Sequence, residues 1–237
     1  MTVENYFQLR ADSFDALYDE DRPFYYRVNR ILRKAIYERV ALTLKEFRGW
    51  EEFTVLDVGC GSGRNSVAFA NAGAARIVGI DFSERMLEIA REFSRKRGVA
   101  AKCQFIKGDF MTHHFDQQFD AVVALGVFDY IQDAESALHR IWAAARYELI
   151  VCFPRRSLIR APLRKLRYAV RGCPVYFYTR RQLEQTCQRL GLNNFQILPC
   201  TSAGFLLVVS REDYPSCSRG GVHPHSGQPI HPANAAD

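Results

Sequence analysis

Short apolar runs alternate with stretches of helical periodicity from residue 53 to residue 209. The apolar runs have the length of strands, and the periodic stretches repeat hydrophobic residues along one side of a helix. The predicted strands are 53–58, 75–80, 103–106, 119–125 and 149–153, and the predicted helices are 64–72, 84–97, 134–145 and 179–190. This alternation predicts an α/β fold, in which helices cover both faces of a parallel sheet.

The last two predicted strands, 195–198 and 205–209, have no helix between them. Two strands with a short connection form a hairpin and therefore run antiparallel to each other. We expect one strand of this pair to be antiparallel at the edge of the sheet.

The two ends of the chain differ from the alternating region. Residues 1–48 are predicted to form a helical cap, because apolar residues recur at helical spacing after Pro23 and Gly49 fits a C-terminal cap. Residues 49–212 then form the α/β domain. Residues 213–237 are rich in Gly, Pro, Ser and His and have no apolar period, so we expect a disordered, solvated tail without a metal.

Composition narrows the class of protein. A chain of 237 residues, 48% of them hydrophobic, suits one domain with modest additions. No apolar run approaches the roughly 20 residues of a membrane span, and the first residues do not resemble a secretory signal, so we expect a cytoplasmic protein. Seven cysteines without a CxxC pair argue against a disulfide framework or a zinc site. Small buried side chains are predicted at Cys60, Cys103 and Cys152.

The most informative segment is the end of the first strand. Residues 55–63 read Val-Leu-Asp-Val-Gly-Cys-Gly-Ser-Gly, so a buried strand leads into three glycines at alternate positions before a helix. Glycine at such a turn permits positive φ and the close approach of a ligand to the backbone. A nicotinamide dinucleotide site places its third glycine three residues after the second, whereas Gly63 follows Gly61 by two, so that alternative is not favoured.

Further candidate residues lie where the neighbouring strands end. Asp81 closes the second strand about 20 residues after the glycine turn, where a carboxylate can accept hydrogen bonds from both ribose hydroxyls. Asp109 follows the third strand, and Leu125 and Gly126 end the fourth. Because the carboxyl ends of parallel strands meet at one edge, these residues should surround a single ligand crevice.

The chain resembles the class I S-adenosylmethionine-dependent methyltransferases at residues 55–63, Asp81, Asp109 and residues 119–130. This resemblance covers about residues 53–209, and it implies a Rossmann-like, mostly parallel seven-stranded sheet in the order 3-2-1-4-5-7-6. It also implies S-adenosyl-L-methionine as the cofactor. The helical cap, residues 128–130 and the insertion after Pro154 are in addition loosely similar to magnesium-protoporphyrin and quinone-type O-methyltransferases.

The resemblance also implies a role for each residue of the crevice. The methionine part of the cofactor would be lined by Gly59, Cys60, Gly61 and Gly63, with its amino group near Asp57. The ribose would be held by Asp81, and the adenine would lie beside Phe82, Met86, Asp109 and Phe110. The region of the sulfonium would be bounded by Leu125 and Gly126.

Two residues after the fourth strand are candidate catalytic groups. Asp129 and Tyr130 should face the acceptor, and either could orient a nucleophile or take its proton. The alternative is that Asp129 caps a turn and Tyr130 packs in the core. His113 and His114 lie in the connection toward the fourth strand and are predicted to be surface residues. His139 is predicted to be exposed on a helix.

An insertion at residues 155–178 is strongly basic and contains no acidic residue. Between Arg155 and Arg181 there are eight arginines, one lysine and no acid, which exceeds the net charge of +6 for the whole chain. With Pro162 in its first turn, the segment predicts an amphipathic helix with an arginine stripe. Three interpretations stay open: a solvated lid, a site for an anionic acceptor, and peripheral membrane contact through residues 155–171. The insertion ends in three candidate acceptor-pocket aromatics, whose alternative is ordinary packing: Tyr176, Phe177 and Tyr178.

These features predict in-line transfer of methyl to a small-molecule acceptor, anionic or lipophilic, with oxygen favoured as the methylated atom. A first alternative is a protein or RNA methyltransferase that docks through the arginine-rich insertion. The rest of the chain is slightly acidic and shows no appended RNA-binding module, so a nucleic-acid partner is not favoured. A second alternative is a non-catalytic binding protein with the same fold.

Overall fold

The computed structural model describes residues 37–156, 173–200 and 204–211. A helix, α1, occupies residues 37–46 of this part. The strands are β1 (Thr54–Val58), β2 (Arg76–Asp81), β3 (Cys103–Lys107), β4 (Phe119–Leu125), β5 (Ala145–Pro154), β6 (Phe195–Cys200) and β7 (Gly204–Ser210). The other helices are α2 (Arg64–Asn71), α3 (Glu84–Lys96), α4 (Ala134–Ala144) and α5 (Arg180–Arg189), with a 3-10 turn at Ala100–Lys102.

Three predictions fall on residues outside the described ranges. These are the apolar periodicity after Pro23, the arginine stripe between residues 160 and 171, and the tail from residue 213. Within the described ranges, no helix is both long enough and apolar enough to cross a membrane.

All seven strands form one sheet in the order β3-β2-β1-β4-β5-β7-β6, which confirms the predicted order and fold class. Strands β1 to β5 are parallel to their neighbours, whereas β7 is antiparallel to both β5 and β6. The prediction that the antiparallel strand lies at the edge was wrong. The inner position of β7 agrees with its burial, since its residues 204–209 are all buried, whereas two residues of β6 are exposed.

Strand β5 begins four residues before the predicted start, directly after α4. Two of its first four residues are charged, so no apolar run marks the start of this strand in the sequence. Arg146 is exposed and lies 3.4 Å from the buried Asp120 carboxylate, and Glu148 pairs with Ala121 after an irregularity in the β4–β5 register. The pairing with neighbouring strands therefore extends β5 beyond its hydrophobic part.

The predicted helix starts are confirmed by hydrogen bonds. The hydroxyl of Ser83 accepts from the backbone N–H of Met86 at the start of α3. Thr179 and Gln182 form a reciprocal capping box at the start of α5. Such caps satisfy N–H groups that have no partner within the helix, and each stabilises its helix by about 1 kcal/mol.

Helix α1 packs on one face of the sheet and runs along β5. Its end is anchored by an aromatic cluster in which Phe47 contacts Trp50, Phe53 and Phe69 at ring distances of 4.9–5.6 Å. Two charged side chains of α1 lie close to β5. The charge of Arg39 lowers the pKa of Cys152, and the charge of Glu46 raises the pKa of Glu148. The aromatic anchor therefore holds Arg39 at the carboxyl edge of the sheet.

The buried Glu148 gives a testable pH dependence. Burial, with a smaller contribution from Glu46, raises the pKa of Glu148 from 4.5 to about 8, although Ser210 donates a hydrogen bond to it. The folded protein thus retains a proton that the unfolded chain releases. Stability contributed by this proton is complete below about pH 4.5 and is lost as the pH rises to about 8, at no more than roughly 1.4 kcal/mol per pH unit.

Glu148→Gln, which mimics the protonated acid, is therefore expected to flatten the pH profile and to stabilise the protein at alkaline pH. Urea unfolding between about pH 5 and pH 9 measures the effect. Exposed Glu51→Gln serves as the matched control and should retain the wild-type slope. A residual slope is expected in both variants from Asp57, whose pKa is raised to about 7. An unchanged slope in Glu148→Gln would contradict the assignment.

Candidate active site

The glycine turn after β1 is tied to the end of β2. The backbone N–H groups of Gly59 and Cys60 both donate to the carbonyl of Ile80, at 2.9 and 3.2 Å. The three glycines have φ values of 66°, 53° and 72°, a region that other residues rarely occupy. The turn therefore needs glycine for its own conformation, before any ligand is considered.

The three glycines face different surroundings. A side chain at Gly61 would meet no atom within 4 Å, so this glycine borders open space. A side chain at Gly63 would place its Cβ 2.8 Å from Cβ of Ala90, and one at Gly59 would lie 3.0 Å from Val127. Gly61 is thus positioned to admit a ligand, whereas Gly63 permits α2 to pack against α3. A ligand contact of Gly63 stays a prediction.

This difference predicts that two matched substitutions rank in opposite order for stability and for ligand binding. Both Gly61→Ala and Gly63→Ala carry the strain of positive φ, about 1–2 kcal/mol. Gly63→Ala adds an overlap with Ala90, so it should lower the melting temperature more. Gly61→Ala should weaken ligand binding more, because its methyl group enters the open space. Thermal unfolding and ligand titration of both variants measure the two effects, and the reverse ranking would contradict this assignment.

Asp81 connects the glycine turn to the start of α3. Its Oδ2 accepts from the N–H of Gly61 at 2.9 Å and its Oδ1 from the N–H of Ser83 at 2.9 Å. Burial raises the pKa of Asp81, and the backbone N–H groups of Ser83, Gly61 and Phe82 oppose that shift. The carboxylate fixes the open glycine in place, and its oxygens retain lone pairs for hydroxyl donors.

Asp57 is a buried carboxyl with one oxygen that lacks a partner. Its Oδ2 accepts from the hydroxyl of Ser66 at 2.6 Å, whereas Oδ1 is buried without a hydrogen bond. Burial raises its pKa to about 7, and the Ser66 hydroxyl opposes this shift while Asp81 adds to it. An acceptor of this kind beneath the glycine turn favours a cationic group nearby, since a positive charge would stabilise its ionised form.

The end of β4 brings in a residue that the sequence analysis missed. Gly126 has φ 101°, and a Cβ there would lie 2.8 Å from Nη1 of Arg39. The guanidinium of Arg39 therefore occupies the space that a side chain at Gly126 would need, at the carboxyl edge of the sheet. In the sequence, Arg39 is one of several arginines in the N-terminal region, and only its position beside the apolar residue Val40 suggests that it borders the packed face.

The segment after β4 carries Asp129 and Tyr130, both half-buried. The N–H of Tyr130 donates to the carbonyl of Val127, and the carbonyl of Asp129 accepts from the N–H of Tyr176, at 3.0 and 2.9 Å. The structure thus brings both residues to the same edge as Gly126, in contact with the end of the insertion. Their catalytic roles stay predictions.

Among the insertion aromatics, Tyr178 has a packing role. Its hydroxyl donates to the carbonyl of Ile131 at 3.1 Å, and its ring packs edge-on against Phe153 at 5.0 Å. Burial, with the nearby charge of Asp129, raises the pKa of Tyr178 to about 12. A phenol in this state is a poor general base at neutral pH.

The residues predicted to surround the adenine are divided between surface and core. Asp109 is exposed and accepts from the N–H of Met111 at 2.9 Å. Phe110 and Met86 are buried side chains, and Phe82 is half-buried. Phe110 belongs to the core cluster with Ile80, so stacking on a ligand stays a prediction that this packing does not favour.

His113 and His114 lie in the β3–β4 loop, and His139 is exposed on α4. No cluster of metal-binding side chains occurs among the described residues.

Comparison with known proteins identifies related sequences. Residues 55–147 match the family model described as a methyltransferase domain. The ubiquinone biosynthesis O-methyltransferase of Pseudomonas paraeruginosa is 40% identical over 91 residues, which are 37% of this chain and 39% of that protein. Cycloartenol-C-24-methyltransferase 1 of Oryza sativa is 31% identical over 125 residues, covering 52% of this chain and 36% of that protein. The chain thus spans less than two fifths of these curated relatives.

A solved structure extends the likeness over most of the fold. The magnesium protoporphyrin IX methyltransferase of Synechocystis, crystallised with bound SAH, superposes with a TM-score of 0.70. The alignment covers 89% of this chain and 98% of that protein, at 20% identity. This similarity supports the sheet and helix arrangement described above.

Proposed function

We propose that the chain is a class I S-adenosylmethionine-dependent methyltransferase, which transfers a methyl group from S-adenosylmethionine to a small-molecule acceptor. The match of residues 55–147 to a methyltransferase domain supports this assignment. The proposal rests on the open space beside Gly61 at the carboxyl edge of the sheet. The Asp81 carboxylate accepts a hydrogen bond from the backbone N–H of Gly61 and so fixes this glycine in place. In an open α/β sheet, ligands bind at this edge.

The charged groups of the site fit a zwitterionic ligand. Asp57 offers a buried oxygen without a partner, suited to an ammonium group, and Arg39 offers a guanidinium, suited to a carboxylate. Asp81 remains available to ribose hydroxyls, and the half-buried Phe82 is the aromatic nearest to it in the chain. These residues would hold S-adenosylmethionine, whose sulfonium supplies an activated methyl group and a neutral leaving group.

The protein then has to orient the acceptor and exclude water. Orientation of two reactants alone can lower a barrier by roughly 7–11 kcal/mol, so a strong general base is not required. Asp129 and Tyr130 lie at the correct edge to orient an acceptor or accept its proton. The ring of Tyr178 packs on Phe153, close enough to Asp129 for that carboxylate to raise the pKa of Tyr178.

The acceptor that we propose is anionic or lipophilic, with oxygen as the methylated atom. Two arginines, Arg155 and Arg156, are exposed at the carboxyl end of β5, where the basic insertion begins. Arginine pairs well with carboxylate and phosphate groups. Two similar proteins, a ubiquinone biosynthesis O-methyltransferase and a magnesium protoporphyrin IX methyltransferase, favour a large apolar acceptor. Such an acceptor agrees with peripheral membrane contact through residues 155–171.

The test is calorimetric titration of the chain with S-adenosylmethionine and, separately, with NADH as a control ligand. Micromolar binding of S-adenosylmethionine alone is expected. Binding of NADH instead would overturn our assignment of the glycine turn. Methyl transfer is then assayed with radiolabelled cofactor and quinol or porphyrin carboxylate acceptors.

A further inference from the structure

Two cysteines meet beside the candidate active site. Cys152 on β5 and Cys200 on β6 are separated by β7, yet their side chains lie close enough for each thiol to affect the pKa of the other. The reason is Gly204, which pairs directly with Cys200 and whose Cβ, if present, would lie 3.7 Å from Sγ of Cys152. Because Gly204 has no side chain, the two sulfurs can approach each other above it.

The same pair lies next to the cationic group of the site. Cys152 pairs with Leu125, the residue that precedes Gly126, and the Arg39 guanidinium lies over Gly126. The positive charge of Arg39 also lowers the pKa of Cys152. A thiolate at Cys152 would thus have both a hydrogen-bond donor, Cys200, and a cation as neighbours.

Three of the other described cysteines have a different environment. Burial raises the pKa of Cys60, Cys103 and Cys187. In contrast, the hydrogen bond from Cys200, supported by the charge of Arg39, lowers the pKa of Cys152 in spite of its burial. Thiolate is the reactive form of cysteine, and Cys152 is 7% exposed, so a small oxidant such as hydrogen peroxide should select it among these residues.

We propose that Cys152 and Cys200 form a peroxide-sensitive thiol pair that closes to a disulfide, and that an anion bound at Arg39 slows this reaction. The Cys152 thiolate attacks a peroxide oxygen, so that an S–O bond forms, the O–O bond breaks and hydroxide leaves to take up a proton. Cys200 then attacks the Cys152 sulfur, an S–S bond forms, and water leaves with the oxygen. Two thiols are oxidised by two electrons and one peroxide is reduced by two.

The anion dependence rests on the proposed function. A ligand carboxylate at Arg39 adds negative charge beside Cys152 and competes for the guanidinium, so it lowers the thiolate fraction. S-adenosylhomocysteine carries this carboxylate, whereas 5′-methylthioadenosine has the same nucleoside without it. The first should slow oxidation by about fivefold or more, and the second should leave the rate nearly unchanged.

The experiment exposes the reduced full chain to hydrogen peroxide and follows it by intact mass and peptide mapping. Loss of two hydrogen atoms with a Cys152–Cys200 cross-linked peptide, reversed by dithiothreitol, is expected. In Cys200→Ser, dimedone should trap a sulfenic acid at Cys152 instead. Cys187→Ser is the matched control and should cross-link as the wild type does. Absence of the cross-link, or equal dimedone labelling of several cysteines, would overturn the proposal.

Failure of the proposed function gives a different result. If S-adenosylhomocysteine does not bind but the cross-link forms, the thiol pair stands and the cofactor assignment fails. If it binds without slowing oxidation, the link between Arg39 and Cys152 fails. Arg39→Met should slow the cross-linking of the ligand-free chain, and an unchanged rate in that variant would also count against the link.

Discussion

Asp81→Ala is expected to weaken binding of S-adenosylhomocysteine by about a hundredfold or more, which corresponds to roughly 3 kcal/mol. Asp81 acts twice in the site, since its carboxylate accepts from the N–H of Gly61 and remains available to ligand hydroxyls. The alanine variant removes both contributions and leaves the N–H groups of Gly61 and Ser83 without their acceptor. Charge-assisted hydrogen bonds of this kind contribute about 1.5–3 kcal/mol each. Calorimetric titration measures the change.

A control has to separate the loss of a ligand contact from the loss of a structural hydrogen bond. Asp133 caps α4 and accepts from the N–H and the hydroxyl of Ser136, at 3.0 and 2.6 Å. Asp133→Ala should therefore cost about 1 kcal/mol of stability with no effect on binding. Comparable affinity losses in Asp81→Ala and Asp133→Ala would show that the effect is one of stability alone. Wild-type affinity in a folded Asp81→Ala chain would remove the main support for the proposed site.

Arg39→Met is expected to weaken S-adenosylhomocysteine by about tenfold to a hundredfold while leaving 5′-methylthioadenosine nearly unaffected. The two ligands differ at the amino acid part, and the Arg39 guanidinium is the cation that lies over Gly126. A guanidinium–carboxylate pair in a partly buried site contributes more than an exposed pair, because solvent screens it less. Methionine retains the aliphatic part of the arginine side chain, so the packing of α1 should persist.

Two comparisons make this prediction specific. Arg48→Met removes an exposed arginine at the end of the same helical segment and should bind both ligands as the wild type does. Arg39→Lys keeps the charge but loses the two-pronged geometry, so intermediate affinity is expected. Equal weakening of both ligands by Arg39→Met would place the effect in the fold of α1. If Arg39→Met binds both ligands with wild-type affinity, Arg39 does not bind the cofactor carboxylate, and another anion such as the acceptor becomes its candidate partner.

The α/β fold and the centre of the candidate site could be predicted because both depend on local patterns. The strands and helices predicted within residues 53–154 and 179–209 are all present, with shifts at their ends, since burial on both faces of the sheet makes each strand an apolar run. The glycine turn and Asp81 could be paired in advance because the ends of adjacent parallel strands meet at one edge. Their measured contact is the hydrogen bond from Gly61 to Asp81.

Other features arise from contacts between distant parts of the chain, and local patterns carry no information about them. Arg39 reaches Gly126 because Phe47 and its aromatic neighbours anchor α1 along the sheet. Gly63 looked equivalent to Gly61 until the packing of α3 distinguished them.

By itself, the sequence determined the strand–helix order, the glycine turn, its acidic partner and the helix caps, because these depend on periodicity and on residues adjacent in the chain. Only the tertiary structure decided that Glu148 is a buried acid and that Cys152 meets Cys200 above Gly204. Each of these results from burial and side-chain proximity between strands, which hydrophobic patterning along one segment does not specify.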